Sequence, residues 1–411
     1  MKEEIIRDII IDQNNYPKKE FIEREQIKEI IKAKDTPFIK IISGVRRSGK
    51  STILKQLKEK FSGVYINFDD ERFVSFNIED FQKLYELSIE LFKKNNLFYF
   101  DEIQNISGWE RFVRRISESG ENVFVTGSNA TMLSKELGTH LTGRYLMFNL
   151  YPFSFREYLD FNKIKISKLT TKEKVKIKEQ FSNYLIDGGL PEYLITKNKD
   201  YLRTLYESIL YRDVMARYNL NNEKVLKELI YLVANNLSKE ISFNSIKKTL
   251  GVGSATTISD YFSYFENTYL LFLLPRYKYS LKTQIQSNKK LYLIDNALAK
   301  QLGFNFSENN GKLLENQVFL ELKRKGYELF YFQEKNECDF LIREKNKIIN
   351  AIQVCYELNS NNKNREINGL IEVMNEFKLN EGTIITLNQE ETIKEEKLTI
   401  KIIPAWKWFL N

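Results

Sequence analysis

Residues Gly44 to Ser51, reading GVRRSGKS, have the types and spacing needed to cradle the phosphates of a nucleoside triphosphate. The stretch fits G-x-x-x-x-G-K-[ST] without a gap. Gly44 and Gly49 let the backbone turn sharply, so that the N–H groups through Arg47, Ser48 and Gly49 can approach a β-phosphate where side chains would obstruct. Lys50 would place its charge between the β- and γ-phosphates, and the Ser51 hydroxyl can hold Mg2+, with Thr52 beside it. ATP and Mg2+ are the cofactors this chemistry calls for.

A second set of residues would complete a hydrolytic site. LFYF, Leu97 to Phe100, is followed by Asp101 and Glu102. A buried strand that delivers an acid at its carboxyl end puts Asp101 beside the Mg2+ shell, and Glu102 can orient and polarise the attacking water. NVFVTGSN, Asn122 to Asn129, is another strand ending in small polar residues. Asn129, or else Ser128, could contact the γ-phosphate or the water, and either could equally cap the helix expected over ATMLSKEL. Arg144, in LTGRY, could stabilise transition-state charge from within the chain or from a neighbouring subunit, against the alternative of an ordinary surface ion pair. Arg46, Arg47, Arg114 and Arg115 are further arginines in this region.

Positioning these groups requires particular elements. PFIKIIS reads as a buried strand before the loop, and TILKQLKEKF as an amphipathic helix whose N-terminus faces the phosphates. VYINF, ending in Asp69, Asp70 and Glu71, reads as a second strand. Short apolar runs alternating with helices of ten or more residues predict a parallel sheet covered on both faces. Residues 1–35 carry two charged helical patterns, divided at NNYPKK, that are expected to pack on the edge of this sheet.

With 411 residues, the chain has room for two or three domains. Hydrophobic residues make up 42% and charged residues 29%, the balance of a soluble globular protein. The longest aliphatic and aromatic run, Tyr269 to Leu274, is far short of the ~20 residues a membrane span needs. MKEEIIRDII mixes acids into the opening stretch, so no secretory signal and a cytoplasmic location are expected. Two cysteines, Cys338 and Cys355, and the single histidine, His140, leave no disulfide framework or zinc site in prospect. A formal net charge of +8 permits nucleic-acid binding without establishing it.

Farther along, seven lysines against two acids between Lys163 and Gln180 predict a solvated helix or linker. DGGLPEYL, from Asp187, marks a tight bend before a helix holding Arg203 to Arg217. From Asn222, three helical patterns with Gly251 and Gly253 before the third, then a hairpin through TYLLFLLPRYKYS and KLYLID, suggest a winged helix-turn-helix. Ser238 to Lys290 holds eight Lys or Arg against three acids. Ser254, Thr256, Thr257 and Ser259 would offer short polar contacts, while Arg276, Lys278 and Lys282 would suit phosphates. The third helix has no arginine and includes Asp260, so both a DNA partner and a protein partner stay open.

GVRRSGKS, FYFDEIQNISGWE, VTGSNA, LTGRY with PFSFREYL, DGGLPEYL and LYRDV, in this order, resemble the AAA-like P-loop ATPases of bacteria and archaea that are joined to a DUF4143 domain. The match spans nearly the whole chain. It implies an ASCE-type ATPase with Asp101 and Glu102 as metal-shell and catalytic acids, Asn129 as sensor, and a helical lid in which Arg212 touches phosphate. From Gly311, a helix holding Glu315, three strands, a helix and a strand resemble the PD-(D/E)xK nuclease core. Glu315 and Asp339 match two of its acids. The third unit reads Gln353-Val354-Cys355, lacking the lysine and one acid, so weak metal binding and no nuclease activity are expected.

The resulting expectation is an α/β chain: an N-terminal helical segment (1–35), a P-loop NTPase core (36–155), a helical lid (156–220), a winged helix (221–290) and a nuclease-like α/β domain (291–411). ATP hydrolysis would drive a switch or motor step on a nucleic-acid or protein partner, in a homo-oligomer with no membrane contact. An ATP-gated DNA nuclease and a non-hydrolysing nucleotide sensor are the alternatives.

Overall fold

Ile39–Ser43 (β1) is buried at all five positions, including Lys40, as a strand covered on both faces must be. In the computed structural model, which describes residues 1–15, 17, 21–93, 96–128, 143–166, 169–303, 310–395 and 397–411, the chain forms two compact units. The first is Met1–Leu150 with Asn267–Tyr269; the second is Tyr151–Glu266 with Leu270–Asn411.

The first unit is built on a parallel sheet of β1, β2 (Val64–Asn67), β3 (Leu97–Asp101), β4 (Asn122–Gly127) and β5 (Tyr145–Asn149), in the order β2-β3-β4-β1-β5. On one face Ile41, Ile66, Phe100 and Val125 pack with Phe81, Trp109 and Phe112 from the helices α4 (Phe81–Leu91) and α5 (Trp109–Glu118). On the other, Ile42, Tyr65, Tyr99 and Phe124 pack with Ile53, Leu54 and Leu57 of α3 (Lys50–Lys60) and with Ile27 and Ile30 of α2 (Ile27–Lys32). The N-terminal helix α1 (Glu3–Asn14) closes the open edge of β2. Asn14 exchanges hydrogen bonds with the backbone N–H and C=O of Tyr65 at 3.0 and 2.9 Å. Gln13 does the same for Asn67 at 2.7 and 3.1 Å. Two amides thereby take the place of a missing strand, protecting an edge that would otherwise template pairing.

In the second unit, β6 (Glu240–Ile241), β7 (Leu271–Pro275) and β8 (Lys289–Leu293) form an antiparallel sheet in the order β6-β8-β7. The helices Glu223–Asn235, Phe243–Leu250 and Ala255–Asn267 come before β7. A six-stranded mixed sheet follows: β9 (Glu328–Gln333), β10 (Glu337–Glu344), β11 (Lys347–Val354), β12 (Glu381–Thr386), β13 (Glu391–Glu395) and β14 (Leu398–Pro404), ordered β13-β14-β12-β11-β10-β9. β9, β10 and β11 are antiparallel, and β12 joins β11 in parallel. Lys363–Phe377 buries Leu370, Val373 and Met374 against this sheet.

The DGGLPEYL bend is explained by Asp295. Its carboxylate accepts from the Gly189 N–H at 2.7 Å and caps the helix Asn296–Leu302 through Ala297 and Leu298. Gly188 has φ 66°, and a Cβ there would stand 2.2 Å from the Asp295 carboxylate, so only glycine fits. Burial pushes Asp295 up to about 6 despite these N–H bonds. LYRDV falls on a π-helical segment, Ile209–Met215, where Arg212 is exposed and Asp213 buried. Among the described residues no helix is long and apolar enough to cross a membrane.

Candidate functional site

The loop from Gly44 leaves the carboxyl end of β1 and runs through Gly49 into α3, which starts at Lys50. Its path is tight: a Cβ on Gly44 would lie 2.2 Å from the Leu150 carbonyl, so the loop closes against the end of β5 only as glycine. Arg47 sits at φ 67°, a left-handed conformation uncommon for a side-chain-bearing residue and concentrated at functional sites. The Ser48 hydroxyl lies in the same turn, buried and without a hydrogen-bond partner among the described residues. A phosphate oxygen accepting from this hydroxyl would satisfy it.

Lys50 is 4% exposed, and its Nζ donates to the carbonyls of Gly44 and Val45 at 3.1 Å each. The same ammonium stands 3.9 Å from Glu102 Oε1, so the loop and the acidic strand end converge. Ser51 and Thr52 follow in the first turn of α3. Because β4 lies between β1 and β3, three strand ends contribute to one place. Asp101, 1% exposed, accepts from the Tyr65 hydroxyl at 2.6 Å and from Thr126 Oγ1 at 2.5 Å. Thr126 Oγ1 in turn accepts from the Glu102 N–H at 3.0 Å. Glu102 has φ 51° and a side chain 19% exposed, with Gln104 donating to its Oε2 at 2.5 Å. Asp101 is thus held rigidly, whereas the Glu102 carboxylate retains access for water.

Tyr65 and Thr126 are missed by sequence reasoning. Thr126 lies near the carboxyl end of β4, but Tyr65 is the second residue of β2 and reaches Asp101 only through its long side chain, so strand order and register are needed to find either. Asn129 lies outside the described residues, while Ser128 is buried at the end of β4.

Arg144 stands at the other end of the sheet. Its carbonyl accepts from the Ile39 N–H at 3.0 Å, where β1 begins, and Tyr145 is in register with Ile39. The length of β1, about 13 Å at ~3.3 Å per residue, separates this position from the phosphate loop. Its guanidinium is paired with Glu118, which also pairs with Arg114 at 3.0 Å. Within this chain Arg144 therefore lies a strand's length from the phosphate loop and forms the surface ion pair that was one of its expected roles.

The second candidate cluster is in the second unit. Glu315 on the helix Asn310–Arg324 and Asp339 on β10 come together, and an ammonium lies between them. Lys290, from β8, supplies it. Its Nζ, 2% exposed, donates to Asp339 Oδ1 at 2.7 Å and Glu315 Oε1 at 3.2 Å, and pairs with Glu337 at 2.5 Å. Burial opposes its charge, but the carboxylates of Asp339 and Glu315 overcome this and hold the ammonium well above its usual value. Burial first, then Asp339, pushes Glu315 up to about 8. Tyr292 donates to Glu315 at 2.7 Å, and the Val354 N–H to Asp339 Oδ2 at 2.8 Å. Gln353 bridges the Asp339 N–H and Glu366 at 3.1 and 2.6 Å. Glu315, Glu337, Asp339, Gln353, Val354 and Glu366 border a cavity of about 510 Å³. A divalent ion does not fit this donor set as it stands, because the ammonium already occupies the space between the two acids. Cys338 and Cys355 are buried thiols, and burial pushes both upward, away from the thiolate form.

Of the residues expected to suit phosphates, Arg276 and Lys278 pair with Glu334, at 3.4 and 2.5 Å, and Lys282, on the helix Leu281–Gln286, is exposed. Ser254 Oγ accepts from the Thr256 N–H at 3.1 Å, and both residues are exposed.

Comparison with known proteins places residues 36–159 in the AAA domain model, 178–309 in a domain of unknown function, DUF8612, and 310–408 in another, DUF4143. An uncharacterized protein of Methanocaldococcus jannaschii is 38% identical, with 100% of this chain and 96% of the relative covered. An uncharacterized protein of Haemophilus influenzae is 31% identical, over 88% and 92%. Among solved structures, a Signal Transduction ATPase with Numerous Domains from Pyrococcus horikoshii aligns with TM-score 0.29 and 15% identity, over 77% of this chain and 47% of that one. This chain therefore spans about half of that protein's length. Domain III of the Thermotoga maritima replication initiation protein DnaA aligns with TM-score 0.30 and 17% identity, over 46% and 92%. Likenesses this distant carry no functional implication.

Proposed function

We propose, from the premise that this chain belongs to the family in which an AAA domain is joined to a DUF4143 domain, that it binds and hydrolyses ATP at the loop between β1 and α3. The single observation that supports this most strongly is the approach of Lys50 to Glu102 beside an immobilised Asp101. The N–H groups from Gly44 to Gly49 would donate to the phosphate oxygens, and Lys50 would leave the loop carbonyls to meet their charge. Ser51 and Asp101 would hold Mg2+, which when bound neutralises charge on the phosphates. Glu102 would take the proton of the attacking water, with Gln104 orienting its carboxylate. Asn129 is assigned the sensor role. Calorimetric titration of ATP with Mg2+ tests the reading: Lys50→Ala is expected to weaken binding by about tenfold to a hundredfold, the worth of a charge-assisted hydrogen bond. No heat of ATP uptake by the wild type, or equal uptake by the variant, would end it.

Arg144 is assigned to a neighbouring copy, since its own phosphate loop is at the opposite end of β1. Mixing Arg144→Ala with Glu102→Gln is then expected to restore part of the turnover that each variant lacks alone. No recovery, with mixed assembly verified, would remove the trans role.

For the second unit, the order helix, β6, helix, helix, β7, a short helix (Leu281–Gln286) and β8 supports a winged helix whose two wing strands are joined through that short helix, and the helix–three strands–helix–strand order from Asn310 supports a nuclease-like fold whose chemistry is lost. ATP turnover would act as a switch or motor step upon a nucleic-acid or protein partner engaged by this unit.

A further inference from the structure

Residues 21–26, ahead of α2, reach the phosphate loop through Arg24, although the AAA domain match begins only at residue 36. Arg24 is 4% exposed, and its Nη1 donates to the Ser48 carbonyl at 2.7 Å. The same nitrogen is 3.3 Å from where a Cβ on Gly49 would sit. The neighbours of Arg24 are fastened along α3: Gln56 donates to the Ile22 carbonyl at 2.7 Å, and Lys60 pairs with Glu23 at 2.6 Å. Arg24 is therefore delivered to the loop by a docked stretch of chain.

The consequence follows from peptide geometry. The Ser48 C=O and the Gly49 N–H belong to one trans peptide, so they point in opposite directions from a shared plane. A donor that holds the carbonyl outward turns the N–H inward, towards the concave side of the loop. Gly49, at φ 99°, has no side chain to resist rotation of that plane, so the restraint must come from elsewhere. A guanidinium is permanently charged, so the restraint also sets a positive charge directly behind the phosphate cradle.

We propose that Arg24 is a positioning residue of the nucleotide site, holding the Ser48–Gly49 peptide with its N–H presented to a bound polyphosphate. This rests on the ATP-site reading above and adds residues 21–26 to that site.

ADP with Mg2+, titrated into the full-length protein, is the probe. Arg24→Ala is expected to bind ADP about tenfold to a hundredfold more weakly. Arg24→Lys, which keeps a charged donor for the carbonyl, is expected to recover most of the loss, and Arg24→Gln, an uncharged donor, only part of it. In ATP turnover the KM is expected to rise with the ADP dissociation constant while kcat changes little. A loss of packing alone would not rank the three variants by donor and charge. Should the alanine variant not fold, the lysine and glutamine variants carry the comparison. Equal ADP affinity in wild type and all folded variants, with Lys50→Ala still defective, overturns the Arg24 role alone. Absence of ADP binding by the wild type removes the site and this role together.

Discussion

Glu102→Gln is expected to arrest ATP turnover while leaving ATP bound. The backbone at Glu102 is set by its N–H bond to Thr126 Oγ1, which is itself tied to Asp101, so this placement does not depend on the carboxylate. Glutamine is isosteric, and its carbonyl can still accept from Gln104. What disappears is basicity, and a positioned general base is worth about 10^2 to 10^4 in rate. Binding should hold or tighten slightly, because a negative charge near the phosphates is removed while Lys50 stays in place. Phosphate release and calorimetry on the same preparations read both quantities. Undiminished turnover in Glu102→Gln would take the general base away from this residue. Absence of turnover in the wild type, with ATP bound, would favour the non-hydrolysing sensor. The trapped variant is also the form with which to capture a partner.

Lys290→Met is expected to destabilise the second unit by about 3 to 5 kcal/mol, the usual cost of removing one member of a buried ion pair. Lys290 is the cation shared by Glu315, Glu337 and Asp339, and methionine fills its volume without its charge. The loss should be smaller at pH 6 than at pH 9. Glu315 already sits at about 8, and without the ammonium its protonated form is favoured further, so acid relieves the repulsion. Mn2+ should restore stability to Lys290→Met and leave the wild type unchanged, since ammonium and divalent ion compete for one position. Denaturant melts with and without Mn2+ at the two pH values provide the measurement. Mn2+ uptake by the wild type that vanishes in Asp339→Ala would contradict the occupancy by Lys290. Plasmid nicking lost in that variant would reinstate an ATP-gated nuclease.

The legibility of the two clusters in the sequence differs for a physical reason. Gly44 to Thr52 are contiguous, so their backbone path and chemistry come as one unit. Asp101 and Glu102 are legible because four apolar residues place them at a strand end. Lys290 was not legible as a partner of Asp339, which is 49 positions away, because nothing local to KLYLID distinguishes an ammonium turned into the fold from one in solvent. Gln353-Val354-Cys355 visibly lacks a lysine in the sequence, but that an ammonium from another strand meets Glu315 and Asp339 is visible only once β8 is placed. The strand β13, reading ETIKE, has exposed residues at four of five positions and so carries no burial pattern to announce it.

By itself, the sequence determined that a phosphate loop, an acidic strand end and an alternating α/β core exist, because each depends on neighbours along the chain. The tertiary structure alone decided that Tyr65 and Thr126 clamp Asp101, that Arg24 backs the loop, that Arg144 faces away from it, and that Lys290 fills the acid pair. Those are consequences of strand order and register, which bring together side chains whose separation along the chain says nothing of their separation in space.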